Sequence, residues 1–198
     1  MRKFWLLPAI AFAVCLNAAT VFAYGYAEAE DPMVKVFQSA VVAAKEGRWG
    51  EVSELADKGI AMQKGHLFEA DKLAPRIKES TVKKDVSKTA KQFANLVYLS
   101  IREKLHRNIK ESFSDYKSGK ARLRLARKAY IDVLDGNVKK QDAGRSRSIL
   151  SQFDTALKSI GNPGLFGMGK KEPDKAGYEQ AVNKIEALIV VSFPSFAK

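Results

Sequence analysis

VKKDVSKTAKQFANLVYLSIREKLHRNIKESFSDY, residues 82–116, is the stretch whose reading decides the fold. Val82, Val86, Ala90, Phe93, Val97, Ile101, Leu105, Ile109, Phe113 and Tyr116 recur every three or four positions. That spacing stacks side chains on one face of an α-helix. At 1.5 Å per residue the stripe predicts a single helix about 50 Å long. Its middle, from Phe93 to Ile101, is apolar almost all round, so neighbours should cover it on several sides.

Upstream, Pro75 separates this stripe from two shorter periodic runs. Asp31-Pro32 offers an N-cap followed by proline at the first helical position. Val34, Phe37, Val41 and Ala44 then keep helical spacing until Gly47. A second helix is expected from Arg48 to Lys64, buried through Trp49, Val52, Ala56 and Ile60, with Gly65 near its end. So short a connection implies a helical hairpin. Downstream, Ser118-Gly119 is expected to turn or kink the chain. Lys120 to Leu134 should form a helix that ends or bends at Gly136-Asn137. Ser146 to Ile160 should form another, stopped by Gly161-Asn162-Pro163-Gly164. Asp174 to Phe193 is the last, ending before Pro194. No stretch alternates as a strand would. The expected fold is one all-α domain over residues 32–198, an elongated antiparallel bundle of about five to six helices around a long central one.

The N-terminus carries an address. Arg2 and Lys3 precede an uncharged apolar run from Phe4 to Phe22, and Val21-Phe22-Ala23 offers a small-residue cleavage site before Tyr24. This is the layout of a secretory signal peptide, so residues 1–23 are expected to be cleaved and 24–31 to be a flexible acidic lead-in. An uncleaved membrane anchor is the competing reading, but Pro8 and Asn17 interrupt the run. Lipid attachment at Cys15 is a third, and Val14 is bulky where a small residue is wanted. Cleavage leaves a periplasmic or secreted protein that is not integral to the membrane.

Export also constrains the chemistry. Cys15 is the only cysteine, so the mature chain would have no disulfide, thiolate metal site, thiol nucleophile or c-type haem attachment. Loss of Arg2 and Lys3 lowers the formal net charge from +12 to +10. Most of the excess lies between Lys117 and Arg147, where ten basic residues face three acidic ones. Export removes nucleic acid as the partner of that charge. Anionic lipid, cell-wall polymer or an acidic protein of an envelope complex takes its place.

Three sets of residues could carry function. Met62, His66 and Glu69 stand at i, i+4 and i+7. They would share a face if the second helix continued through Gly65, offering thioether, imidazole and carboxylate to copper, iron or haem. Gly65-His66-Leu67-Phe68-Glu69 also resembles the His-x-x-Glu signature of imelysin-type periplasmic helical proteins. His106, the other histidine, would with Met62 resemble the axial pair of a b-type four-helix cytochrome. Against the first stands a plain helix end, with Met62 filling core and His66 bonded locally; against the second, Lys104 and Arg107 flank His106 as on a solvated edge.

The second set is a basic stripe. Lys117, Lys120, Arg124, Arg127 and Lys128 fall within about 100° of arc on a continuous helix. Lys139, Lys140, Arg145 and Arg147 extend the positive region past it. This is either an ordinary solvated face or a docking surface for an anionic partner. The third set is the glycine-rich segment from Gly161 to Pro173, where Leu165, Phe166 and Met168 could grip a partner or tuck under the bundle as a lid. No phosphate-binding loop and no acyl-transfer triad is present. The expected function is that of an exported, non-enzymatic binding or accessory protein without a cofactor. A small metal or haem carrier centred on Met62, His66 and Glu69 is the alternative.

Overall fold

Asp31 does more than start a helix. In the computed structural model, which describes residues 30–111, 113–164 and 168–196, α1 runs Pro32–Lys45 and the Asp31 carboxylate accepts from Met33 N at 2.9 Å. Its other oxygen receives Ser100 Oγ at 3.1 Å and Lys104 Nζ at 2.7 Å, which ties the start of α1 to the central helix. Asp31 is 3 % exposed, so the last residue of the expected lead-in belongs to the core. The signal segment 1–23, the lead-in up to residue 29, Leu165 and Phe166 all lie outside the described residues. Glu46 to Arg48 then link α1 to α2, Trp49–Gln63, and the two pack as the expected hairpin.

The central stripe is shorter than its periodicity implied. Val82 ends a separate helix, α3, Ala74–Val82, and is 74 % exposed. Lys84 adopts φ 52°, and Asp85 caps α4 by accepting from Lys88 N at 2.9 Å. α4 spans Val86–Lys110, 25 residues and so about 37 Å. The chain reverses at Phe113, whose φ is 58°, a conformation costly for a bulky residue. The Phe113 ring packs edge-on against Tyr178 at 4.9 Å, a contact that offsets this cost. The breaks at both ends of α4 let α3 and α5 fold back beside it, and Phe93, Leu96, Val97 and Ile101 are all 0 % exposed. The breaks are capped by Asp85 and Asp115, residues that the apolar period alone does not weigh.

Ser118-Gly119 is not the turn. Asp115 accepts from Lys117 N and Ser118 N and starts α5, Tyr116–Ala129, with Gly119 inside it. Gly119 faces α4: Asn108 Nδ2 donates to its carbonyl at 2.9 Å and to Tyr178 Oη at 3.0 Å. Arg122 donates to Asn108 Oδ1 at 3.0 Å, and Tyr178 Oη donates to the Leu105 carbonyl. This buried polar knot fastens α4, α5 and α8 with each partner satisfied.

α5 does not stop at Gly136 either. It passes into a π-helical turn, Tyr130–Asp135, and on into α6, Gly136–Gln141. Tyr130 Oη and Ser146 Oγ both donate to Asp135 Oδ1, at 2.9 and 2.6 Å. Asp142 then accepts from Arg145 N and opens α7, Ala143–Ser159, three residues before the expected Ser146. The glycine-rich segment closes at its base, where Asn162 and Lys171 exchange two backbone hydrogen bonds of 2.8 Å. A Cβ on Gly161 would lie 2.5 Å from the Lys171 carbonyl, so no other residue fits there. α8, Lys175–Ser192, is capped by Asp174 and packs along α7. The domain is an all-α bundle around α4, which touches α1, α2, α3, α5, the π turn and α8. Among the described residues no strand forms, and no helix is long and apolar enough to cross a membrane.

Candidate functional site

The buried stripe of α5, through Leu123, Ala126 and Ala129, turns its cations outward. Lys117 and Arg124 are exposed and have no acidic partner among the described residues. Lys120 Nζ donates to Tyr116 Oη at 2.9 Å. Arg127 Nε lies 3.5 Å from Asp154 of α7, and Lys128 pairs with Asp132 at 2.6 Å. Arg124, Arg127 and Lys128 line a groove of about 310 Å³ with Ile131, Asp154 and Leu157. Ile131 is 40 % exposed there. Three of the five predicted basic residues thus meet at one concavity, beside the apolar Ile131 and Leu157 that the charge pattern did not announce. Of the predicted apolar grip, Met168 is 73 % exposed beyond the Asn162–Lys171 closure.

Met62, His66 and Glu69 do not share a helical face. α2 stops at Gln63, and Gly65 turns to φ 75°, outside helical geometry. Glu69 bends back so that its Oε1 accepts from Gly65 N at 3.0 Å, and Met62 packs against the core. The continuous helix that the spacing required is therefore absent. His66 Nδ1 is buried with no hydrogen-bond partner among the described residues. No group of three or more His, Cys, Asp or Glu side chains among the described residues could hold a metal ion. His106 Nε2, which an axial ligand would need, lies 2.6 Å from Glu186 Oε1.

A different set of charges gathers where segment 64–73 crosses α4. Glu103, 5 % exposed, accepts from Leu67 N at 2.7 Å and from Arg107 Nη2 at 2.7 Å. Burial raises the Glu103 pKa, but the Arg107 fork and the Leu67 amide reverse this and hold it below the ordinary carboxylate value. Across from the same helix, Glu186 of α8 is shared between His106 and Arg102, whose Nε lies 3.1 Å from its Oε1. Desolvation pushes this carboxyl up too, and its contacts with the His106 ring and the Arg102 guanidinium bring it below the usual range. The Arg102 guanidinium rests on the Phe68 ring, 3.8 Å from its centroid, and Phe68 meets His106 edge-on at 5.0 Å.

Beside this arrangement opens a cleft of about 280 Å³, lined by Phe68, Lys72, Asn95, Leu99, Arg102 and Phe196 among others. Phe196 is held by stacking on Tyr98 at 5.4 Å and on Phe193 at 4.7 Å. Asn95 is 3 % exposed, and its Oδ1 has no partner among the described residues.

Comparisons of the chain with protein-family models, curated proteins and solved structures find no match. The likeness of Gly65 to Glu69 to imelysin-type proteins therefore stays a likeness of five residues, and function rests on the geometry. Periodicity missed Arg102, Asn95 and Glu186. One signal was legible: Asn95 is a polar residue in the apolar run from Phe93 to Tyr98. Nothing local marks Glu186, whose partners lie some 80 positions earlier.

Proposed function

We propose that this is an exported, non-enzymatic binding protein that docks through α5 and the adjoining π turn onto an anionic lipid surface of the cell envelope. One observation carries the reading: Arg124, Arg127 and Lys128 converge on a groove whose other wall includes the half-exposed Ile131. Cations around an exposed apolar side chain suit a charged headgroup layer, where the cations meet phosphates and the isoleucine meets acyl chains. Lys117 and Lys120 extend the same helix, and exposed Lys139, Lys140 and Arg147 add to the positive field.

The test is co-sedimentation of the mature chain with phosphatidylglycerol vesicles across a salt series. Binding should weaken at least tenfold between about 0.05 and 0.5 M salt, because exposed charges are screened within about 10 Å at 0.1 M. It should be weak on phosphatidylcholine and lost in R124E/R127E. Equal binding to both lipids, indifference to charge reversal, or capture by an acidic polymer with none by vesicles would overturn it.

A second reading, a small metal or haem carrier, retains one support: the unpartnered Nδ1 of His66. A purified mature chain with no visible absorption and no metal by elemental analysis would remove it.

A further inference from the structure

The cleft beside Arg102 has the parts of a small-molecule site, and it stands on different elements from the basic groove. Arg102 is fixed on two sides before any ligand arrives. Glu186 Oε1 lies 3.1 Å from its Nε as an ion pair without hydrogen-bond alignment, and the Phe68 ring covers its face at 3.8 Å. Its two Nη groups have no acidic partner among the described residues, and Arg102 lines the cleft. A guanidinium braced in this way presents a preorganised fork, the geometry that pairs with a carboxylate through two parallel hydrogen bonds.

Asn95 supplies a second demand. A buried carboxamide oxygen without a partner costs free energy that a ligand donor can recover. Asn95 and Arg102 are seven residues apart on α4, two turns of one face and about 10 Å of rise. The arginine side chain leans back toward the helix N-terminus, which shortens that span. Leu99 lies between them, and Phe68 and Phe196 add ring surface at the walls. The nearby Glu69 carboxylate is already occupied by the Gly65 amide, and exposed Lys72 offsets its charge.

We propose that this cleft binds a small monocarboxylate with an apolar, ring-sized body and one hydrogen-bonding group at its far end. The carboxylate sits on Arg102 and the far group on Asn95. Its volume of about 280 Å³ accommodates one such molecule. Glu186 balances the charge of Arg102 from behind, so the ligand is recognised by directed hydrogen bonds rather than by a diffuse field. Affinity therefore depends little on salt.

The probe is 4-hydroxyphenylacetate, titrated into the purified mature chain by calorimetry. A Kd of about 0.1–1 mM is expected, as befits a ligand of this size. Phenylacetate, which lacks the far hydroxyl, should bind about tenfold more weakly, and so should the uncharged 4-hydroxyphenylacetamide. R102Q should weaken the probe at least tenfold. R102K keeps a charge opposite Glu186 but loses the fork, and should fall between the two. N95L should erase the preference for the hydroxylated acid. Circular dichroism establishes that each variant is folded, and R102K decides the matter if R102Q is not. Absence of saturable heat at about 10 mM probe with native protein overturns the proposal, as does wild-type affinity in R102K or R102Q. Affinity that collapses in about 0.5 M salt, or in R124E/R127E, would also overturn it, since it would locate the binding on the basic groove. R124E/R127E that bind the probe normally but ignore vesicles would separate the two sites.

Discussion

α4 and α5 carry comparable numbers of charged side chains and use them in opposite ways. On α4, Lys104 pairs with Asp31 and Arg102 with Glu186 of α8, while Arg107 and Glu103 pair with each other along the helix. On α5, Lys117 and Arg124 point outward without an acidic partner among the described residues, and the pairs of Arg127 and Lys128 are at least a third exposed on the basic side. Paired charges inside a bundle cancel at a distance and act through geometry. Unpaired charges outside it add at a distance and act through their field. Arg102, Glu103, Lys104 and Arg107 of α4 therefore serve the fold, as Arg122 does from α5, whereas Lys117 and Arg124 leave their charge exposed.

The contrast breaks first where a partner is removed from inside. Asp31→Ala deletes the cap of α1 and removes the buried carboxylate that Lys104 and Ser100 share, and should cost about 3 kcal/mol in chemical denaturation. A loss below about 1 kcal/mol would mean that the α4 pairs do not hold the fold. Reversing two charges on α5, in R124E/R127E, should change stability by less than about 0.5 kcal/mol while vesicle affinity drops at least tenfold, about 1.4 kcal/mol. A large shift in melting temperature would contradict the division.

Acid sharpens the same contrast. Glu103 and Glu186 have folded pKa values below those of an unfolded chain, so their contribution is fully present above about pH 4.5. It is lost as pH falls through the lowered folded values. Denaturant midpoints should stay level from pH 7 to about 5 and then decline. E186Q should flatten that decline, and a variant with the wild-type acid limb would exclude Glu186 as a contributor. The smallest effect is expected beside the basic face. Gly136 is helical at φ −56°, and a Cβ there would meet nothing within 4 Å. Gly136→Ala should therefore stabilise by about 0.5–1 kcal/mol without altering vesicle binding. Destabilisation would show that the π turn needs a glycine after it.

Helical periodicity made the fold class and most of the core legible, because a stripe at i, i+3, i+4 is the direct imprint of burial on one face. It overran at both ends of α4, where Asp85 and Asp115 capture backbone amides and the chain turns. Val82 and Phe113 have the right spacing for the stripe and belong to other structure. The basic groove was half legible: the charges were readable, whereas Ile131 and Leu157 come from two segments joined only in the fold. Segment 64–73 was misread because Gly65 ends a helix that residue spacing alone would extend. The Arg102 cleft escaped almost wholly, since Phe68, Arg102, Glu186 and Phe196 are far apart in the chain.

The π turn at Tyr130–Asp135 has a consequence for how this surface could change over time. A π turn holds one residue more than an α-helix of the same length needs. Loss of a single residue there would restore an unbroken α-helix and rotate everything after it by about 100°. Lys139 and Lys140 would move to another side of the helix while Arg124 and Arg127 stayed in place. One codon thus acts as a phase dial between two halves of the positive surface, held at its present setting by the Tyr130–Asp135–Ser146 bonds.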